Sequence, residues 1–181
     1  MHHEYMRIRD LAPDMRLKDQ EGNKRSLKDL RGKNVLLCFY PETRSDESEQ
    51  EAHEFATHMA EFKARDTEVM AVTPESKRHN RRFAKEAGVG YPILSDKRHK
   101  LAEALGTWDK ENGRNERATI LVDADGRIDR VWEEPDPEGH AREALAHVSK
   151  VNRQEHWEGS SIMGEVVQEQ DWGTIEEALE R

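Results

Sequence analysis

The residues with the clearest capacity for chemistry lie between Phe39 and Glu51. An apolar run ends in Tyr40-Pro41, a short polar loop follows, and a helix is expected to begin near Asp46. A side chain at such a junction sits at the open end of a helix, where unpaired N–H groups and the macrodipole stabilise an anion. The junction is therefore well suited to a nucleophile. It holds Ser48, a hydroxyl, with Ser45 just before it and the acids Asp46, Glu47 and Glu49 beside it. Like charges at that distance oppose formation of a new anion.

Other reactive residues are scattered. Cys38 is the single cysteine, so no intrachain disulfide forms, which fits a reducing compartment. It lies inside the apolar run, where a thiol is expected to be a buried core residue. Ser48 with His53 or Arg117 contains parts of a hydrolytic site, but no oriented base with a third partner is legible. A capping hydroxyl is the expectation for the serine. Glu49/His53 and Glu54/His58 have the i, i+4 spacing that can hold a metal, a spacing that is also common in exposed polar pairs. No metal and no cofactor are expected. His140 and His147 are assigned to surface or packing, and Arg117 to an ion pair with Glu51 or another acid.

The elements that position these residues follow from patterning. Residues 12–26 read as a hairpin turning at Gln20-Glu21-Gly22-Asn23, after which Ser26 is expected to cap a short helical turn, Leu27-Lys28-Asp29-Leu30. Val35-Leu36-Leu37-Cys38-Phe39-Tyr40 is continuously apolar, as in a central strand covered on both faces. A helix is expected over 46–63, with Ala52, Phe55, Ala56, Met59 and Phe62 as its buried stripe. Val69-Met70-Ala71-Val72 is a second strand. A helix capped by Ser76 runs to Ala87 and stops at Gly88, and Tyr91-Pro92-Ile93-Leu94 is extended. Asp96 caps a helix reaching Leu105. Residues 118–122 and 128–132 flank Asp123-Ala124-Asp125-Gly126, the strongest hairpin signal in the chain. A last helix is expected over 137–151. Strands alternating with helices and closing on a hairpin indicate an α/β domain with a central mixed sheet.

Bulk properties narrow the function classes. The chain has 181 residues, 34% apolar and 37% charged, and a formal net charge of −9. It is long enough for one domain with an appendage. The acidic balance is unsuited to nucleic acid, which requires a basic face. The local run Lys77-Arg78-His79 with Arg81, Arg82 and Lys85 is read as a solvated helix face. No stretch approaches the apolar length of a membrane span, and the first residues contain no signal-peptide core, so a cytoplasmic location is expected. Residues 152–181 differ in character. Trp157, Ile162, Trp172 and Leu179 are spread through polar sequence, as in a tail that docks on its own domain, on a second copy or on a protein partner. The expected domains are 1–151 and this tail, 152–181.

The order of these landmarks resembles the peroxiredoxins of the alkyl hydroperoxide reductase/thiol-specific antioxidant superfamily, in particular the bacterioferritin-comigratory type. The matching segments are Ala12-Pro13-Asp14-Met15, 26–33, Phe39-Tyr40-Pro41, Leu94-Ser95-Asp96, 117–123 and Gly139-His140-Ala141, which together extend over about 8–149. The resemblance implies a thioredoxin-like fold with helices on both faces of the sheet. It also implies an active-site pattern, Pro-x-x-x-Thr-x-x-Cys, with Glu or Gln three residues further on. Counting from Pro41 places Ser45 at the threonine, Ser48 at the peroxidatic cysteine and Glu51 at the acid. Arg117 falls on the arginine that holds the thiolate and polarises peroxide, and His53 occupies the position of a resolving cysteine. Asp46 and Glu47 replace the usual Pro-Gly.

Peroxide reduction requires an atom that attacks oxygen and becomes a sulfenic acid, and a serine oxygen has no such oxidation ladder. Beside a structural subunit whose job is oligomerisation, two functions remain open from the sequence. One is a peroxiredoxin-like protein without thiol peroxidase activity, whose Ser45, Ser48 and Arg117 mark a degenerate site that binds a small polar ligand. The other is an antioxidant, thioredoxin-dependent peroxidase working through Cys38 or an intermolecular thiol.

Overall fold

The computed structural model describes residues 4–151. Compactness divides the chain into Met1–Leu145 and Ala146–Arg181. The first unit contains the whole sheet and every residue discussed below. The docking role expected for 152–181 lies outside the described residues.

The chain opens with an antiparallel hairpin, β1 (Arg16–Lys18) and β2 (Lys24–Ser26). Gly22 at φ +85° supplies the left-handed residue that its turn needs. A short 3-10 turn, Lys28–Leu30, follows. Here the sequence expectation is corrected, because Ser26 does not cap it. The Ser26 hydroxyl donates to Asp14, and the Asp14 carboxylate accepts the Lys28 N–H at 3.1 Å. An acid from the preceding loop does the capping.

The main sheet has five strands in the order β5 (Ile93–Ser95), β4 (Thr67–Thr73), β3 (Asn34–Phe39), β8 (Ala118–Val122), β9 (Ile128–Glu133). β3, β4 and β5 are parallel, whereas β8 runs antiparallel to β3 and β9 antiparallel to β8, so the sheet is mixed. β3 is buried along its whole length, as its unbroken apolar run requires of a strand covered on both faces. Val35, Leu37, Phe39, Met70, Val72 and Ile120 form the centre of one core cluster.

The helix expected over 46–63 is interrupted. α1 spans Asp46–Thr57, and a shorter α2 spans Met59–Lys63. His58 between them sits at φ −103°, and the Thr57 hydroxyl donates back to the Glu54 carbonyl at 2.7 Å. Such back-bonding by threonine bends helices. Ala52, Phe55 and Phe62 stay on the buried side of both pieces, and Phe55 stacks on Phe62.

α3 (Lys77–Ala87) begins and ends as its sequence indicates. Ser76 Oγ accepts from His79 N–H at 3.2 Å, and Gly88 closes the helix at φ +68°. α4 (Lys100–Leu105) is shorter than expected, yet Asp96 does cap it, accepting from the Leu101 and Ala102 N–H groups. Two short strands, β6 (Trp108–Asp109) and β7 (Arg114–Asn115), pair between α4 and β8. The last helix starts at 140, later than expected, and buries Ala141, Ala144 and Leu145.

Candidate active site

The site forms where β3 ends and α1 begins. Ser45 is in extended conformation as the N-cap of α1, and its Oγ accepts the Ser48 N–H at 3.1 Å. An N-cap hydroxyl satisfies one of the donors that a helix start leaves without partners. The same Ser45 hydroxyl donates to Ser48 Oγ at 2.9 Å. Ser48 is fully buried one turn into the helix.

Arg117 reaches this point from the loop entering β8. Its Nη2 donates to Ser48 Oγ at 2.9 Å and its Nη1 to Glu51 Oε2 at 2.8 Å. The guanidinium lies 5.7 Å from the centre of the Tyr40 ring, within cation–π range. Exposed Glu47 stands 3.8 Å from Nη2. The planar fork of arginine presents two N–H groups in fixed directions, one to a hydroxyl and one to a carboxylate. Four residues singled out from the sequence, Ser45, Ser48, Glu51 and Arg117, thus meet in one cluster.

Glu51 is almost completely buried, and burial pushes its pKa up to about 7 although Arg117 pulls in the opposite direction. Its second oxygen, Oε1, has no hydrogen-bond partner and lies 3.8 Å from His140 Nε2. His140 is buried too and bonds Thr119 Oγ1 at 2.8 Å. Burial lowers its pKa, against the pull of Glu143. Desolvation therefore drives the acid and the base toward their neutral forms. Of the two roles expected for His140, surface or packing, the structure shows packing, against Phe55 and Trp132, and its place beside Glu51 is the main feature that the sequence does not reveal. Its position just after Gly139 was visible, but no spacing rule connects 140 with 51.

Cys38 lies in β3, opposite Thr119 on β8, and is fully buried. Burial, and after it the negative charge of Glu51, raises its pKa well above the ordinary thiol value. His53, at the position of a resolving cysteine, contacts the Ala87 carbonyl through Nδ1 at 3.0 Å. The pairs read for metal spacing have other partners. His58 bonds Glu61, and Glu54 accepts the Gly139 N–H. Among the described residues no group of three acids, histidines or cysteines is arranged to hold a metal ion.

An open cleft of about 630 Å³ adjoins the cluster and is lined by Pro41, Ser45 and Arg117 together with β6, β7 and the loop after β9. Its acids, Glu42, Glu47, Asp109, Glu116, Glu134 and Asp136, outnumber its two arginines, Arg114 and Arg117. The field in the cleft is therefore negative, although an arginine stands at its base.

This arrangement sits on a recognised scaffold, since a model of the AhpC/TSA family matches residues 8–131. The chain belongs to the AhpC/TSA family. It is 33% identical to peroxiredoxin Bcp of Bacillus subtilis over 140 residues, which covers 74% of this chain and 89% of that protein. It is 29% identical to peroxiredoxin Bcp of Escherichia coli, covering 69% of this chain and 84% of the relative. Among solved structures, peroxidoxin BcpB from Mycobacterium tuberculosis superposes with a TM-score of 0.76 at 28% identity, covering 81% of this chain and 99% of the other. The peroxiredoxin scaffold and its thioredoxin-like mixed sheet are thus present, and the single cysteine of the chain is Cys38 in β3. No helix among the described residues is long and apolar enough to cross a membrane.

Proposed function

We propose that this member of the AhpC/TSA family has lost thiol peroxidase activity and acts as a binding module through the cleft beside Ser45, Ser48 and Arg117. The single observation that carries the reading is the position of Ser48 Oγ. It receives hydrogen bonds from Arg117 and Ser45 at the start of α1, where the family pattern calls for a thiol. An oxygen there has the donors for a thiolate but cannot be oxidised by peroxide. The acid lining of the cleft favours a neutral or cationic polar ligand over an anion. Cys38 offers no replacement, because its thiol is buried within the sheet and its pKa is raised rather than lowered.

The test is peroxide consumption, with dithiothreitol or thioredoxin as reductant, by the wild type, Cys38→Ser and Ser48→Cys. The expected outcome is no catalysis by the first two. Little is expected from Ser48→Cys, because Asp46, Glu47 and Glu49 in the first turn of α1 oppose a new anion there. Catalysis by the wild type that vanishes in Cys38→Ser establishes the thiol peroxidase reading. A Ser48→Cys rate within about tenfold of an ordinary peroxiredoxin removes the claim that the surroundings have drifted as well.

A further inference from the structure

A second depression, of about 510 Å³, runs between β1, the first residue of α3 and the loop from β5 into α4. It shares no lining residue with the Ser48 cleft. Its apolar floor includes Met15 and Leu17, both half-buried and packed onto the core. Its rim carries six cations, Arg16, Lys18, Lys77, Lys97, Arg98 and Lys100. All six are exposed, and among the described residues none forms an ion pair or a side-chain hydrogen bond.

The acids close to this rim are turned to other work. Asp96 lines the groove, yet its carboxylate is buried and caps α4 through the Leu101 and Ala102 N–H groups. Asp14, next to Arg16 in space, accepts from Ser26 and from the Lys28 N–H. Among the described residues no carboxylate stands within ion-pair distance of these six side chains, and only Asp14 acts on one of them, Arg16, from further away. Like charges held together without partners repel, so the arrangement is stabilised by an anion from outside.

The form of the site indicates which anion. Four of the six cations are lysines, compact charges on flexible stems, and they come from four separate segments: β1, α3, the β5–α4 loop and α4. No glycine-rich loop lies among the lining residues to cradle a phosphate with backbone N–H groups. Charges distributed around an apolar floor match negative charges that are themselves spaced along a chain, with an apolar side chain among them. We propose that this groove docks an acidic peptide segment of a partner protein, with one apolar side chain over Met15 and Leu17 and its carboxylates on the surrounding lysines and arginines. Such docking is fast, weak and sensitive to salt.

The full-length protein is titrated into a fluorescent peptide of Glu and Gly residues around a central Leu, and anisotropy is read at about 50 mM and about 300 mM salt. Binding at the lower salt that weakens about tenfold at the higher is expected. Lys97→Glu/Lys100→Glu should weaken binding at least about tenfold, whereas Arg82→Glu/Lys85→Glu, the same charge change on α3 outside the groove, should cost less than about twofold. Replacing the peptide's Leu with Ser should weaken it severalfold. Equal losses from the two charge reversals, indifference to the Leu, or no binding at low salt overturns the proposal. So does an RNA oligonucleotide or inorganic phosphate that displaces the peptide more effectively than an unlabelled copy of it.

Discussion

The Ser48 cluster and the lysine-rich groove are opposites in how they handle charge. In the cluster a cation, an acid and two hydroxyls are withdrawn from solvent, and Arg117 is matched to both Ser48 and Glu51. In the groove six cations stand in solvent with no ion-pair partner among the described residues. Buried charges must be satisfied within the fold, because water cannot compensate them, whereas exposed charges can be left for an external partner at little cost. The cluster is therefore expected to contribute to stability, and the groove only to association.

The largest effect should follow removal of the cation from the cluster. At pH 8, Arg117→Met leaves the Glu51 carboxylate buried and unpaired, a loss of about 3–5 kcal/mol in urea unfolding. A loss no greater than that of a surface substitution would erase the contrast between the two regions.

A somewhat smaller effect is expected from pH. Glu51 has its pKa raised to about 7 in the fold against an ordinary value of 4.5. Its contribution to stability is complete below about pH 4.5 and declines as the pH rises through 7, because the unfolded chain releases the proton first. The decline is about 3 kcal/mol for a shift of that size. Glu51→Gln should remove that part of the slope, read as urea midpoints across the same pH range. A slope identical to wild type would mean that Glu51 is already ionised in the fold.

Ser45→Ala should cost about 1 kcal/mol, through the lost N-cap and the lost bond to Ser48. The smallest change is expected in the groove. Lys100→Ser should alter stability by less than about 0.5 kcal/mol, because an exposed cation without a partner is removed. A substantial destabilisation there would show that the groove is part of the fold's own support.

Much of the framework was legible from local rules. The apolar run before Pro41, the Ser76 cap with its Gly88 stop, and the turn at Asp123-Ala124-Asp125-Gly126 each act over a few residues, and each lies where patterning placed it. The break at His58 was not legible, because the 46–63 stripe stays on one side across it and periodicity alone does not register a bend. β6 and β7 escaped for a related reason, since two-residue strands contain too little alternation to be read. The motif positions Ser45, Ser48, Glu51 and Arg117 could be counted from Pro41. The neutral tendency of Glu51 and His140 could not, because it comes from burial.

The sequence by itself determined the element types, the family scaffold and the absence of sulfur at position 48, since these are properties of short segments and of atom identity. Only the tertiary structure decided which distant residues share an environment. It brought Arg117 to Ser48, set His140 beside Glu51, enclosed Cys38 in the sheet, and gathered cations from β1, α3, the β5–α4 loop and α4 around one apolar floor. The reason is physical. Propensity and patterning act along the chain, whereas desolvation and the electric field depend on what surrounds a group in space.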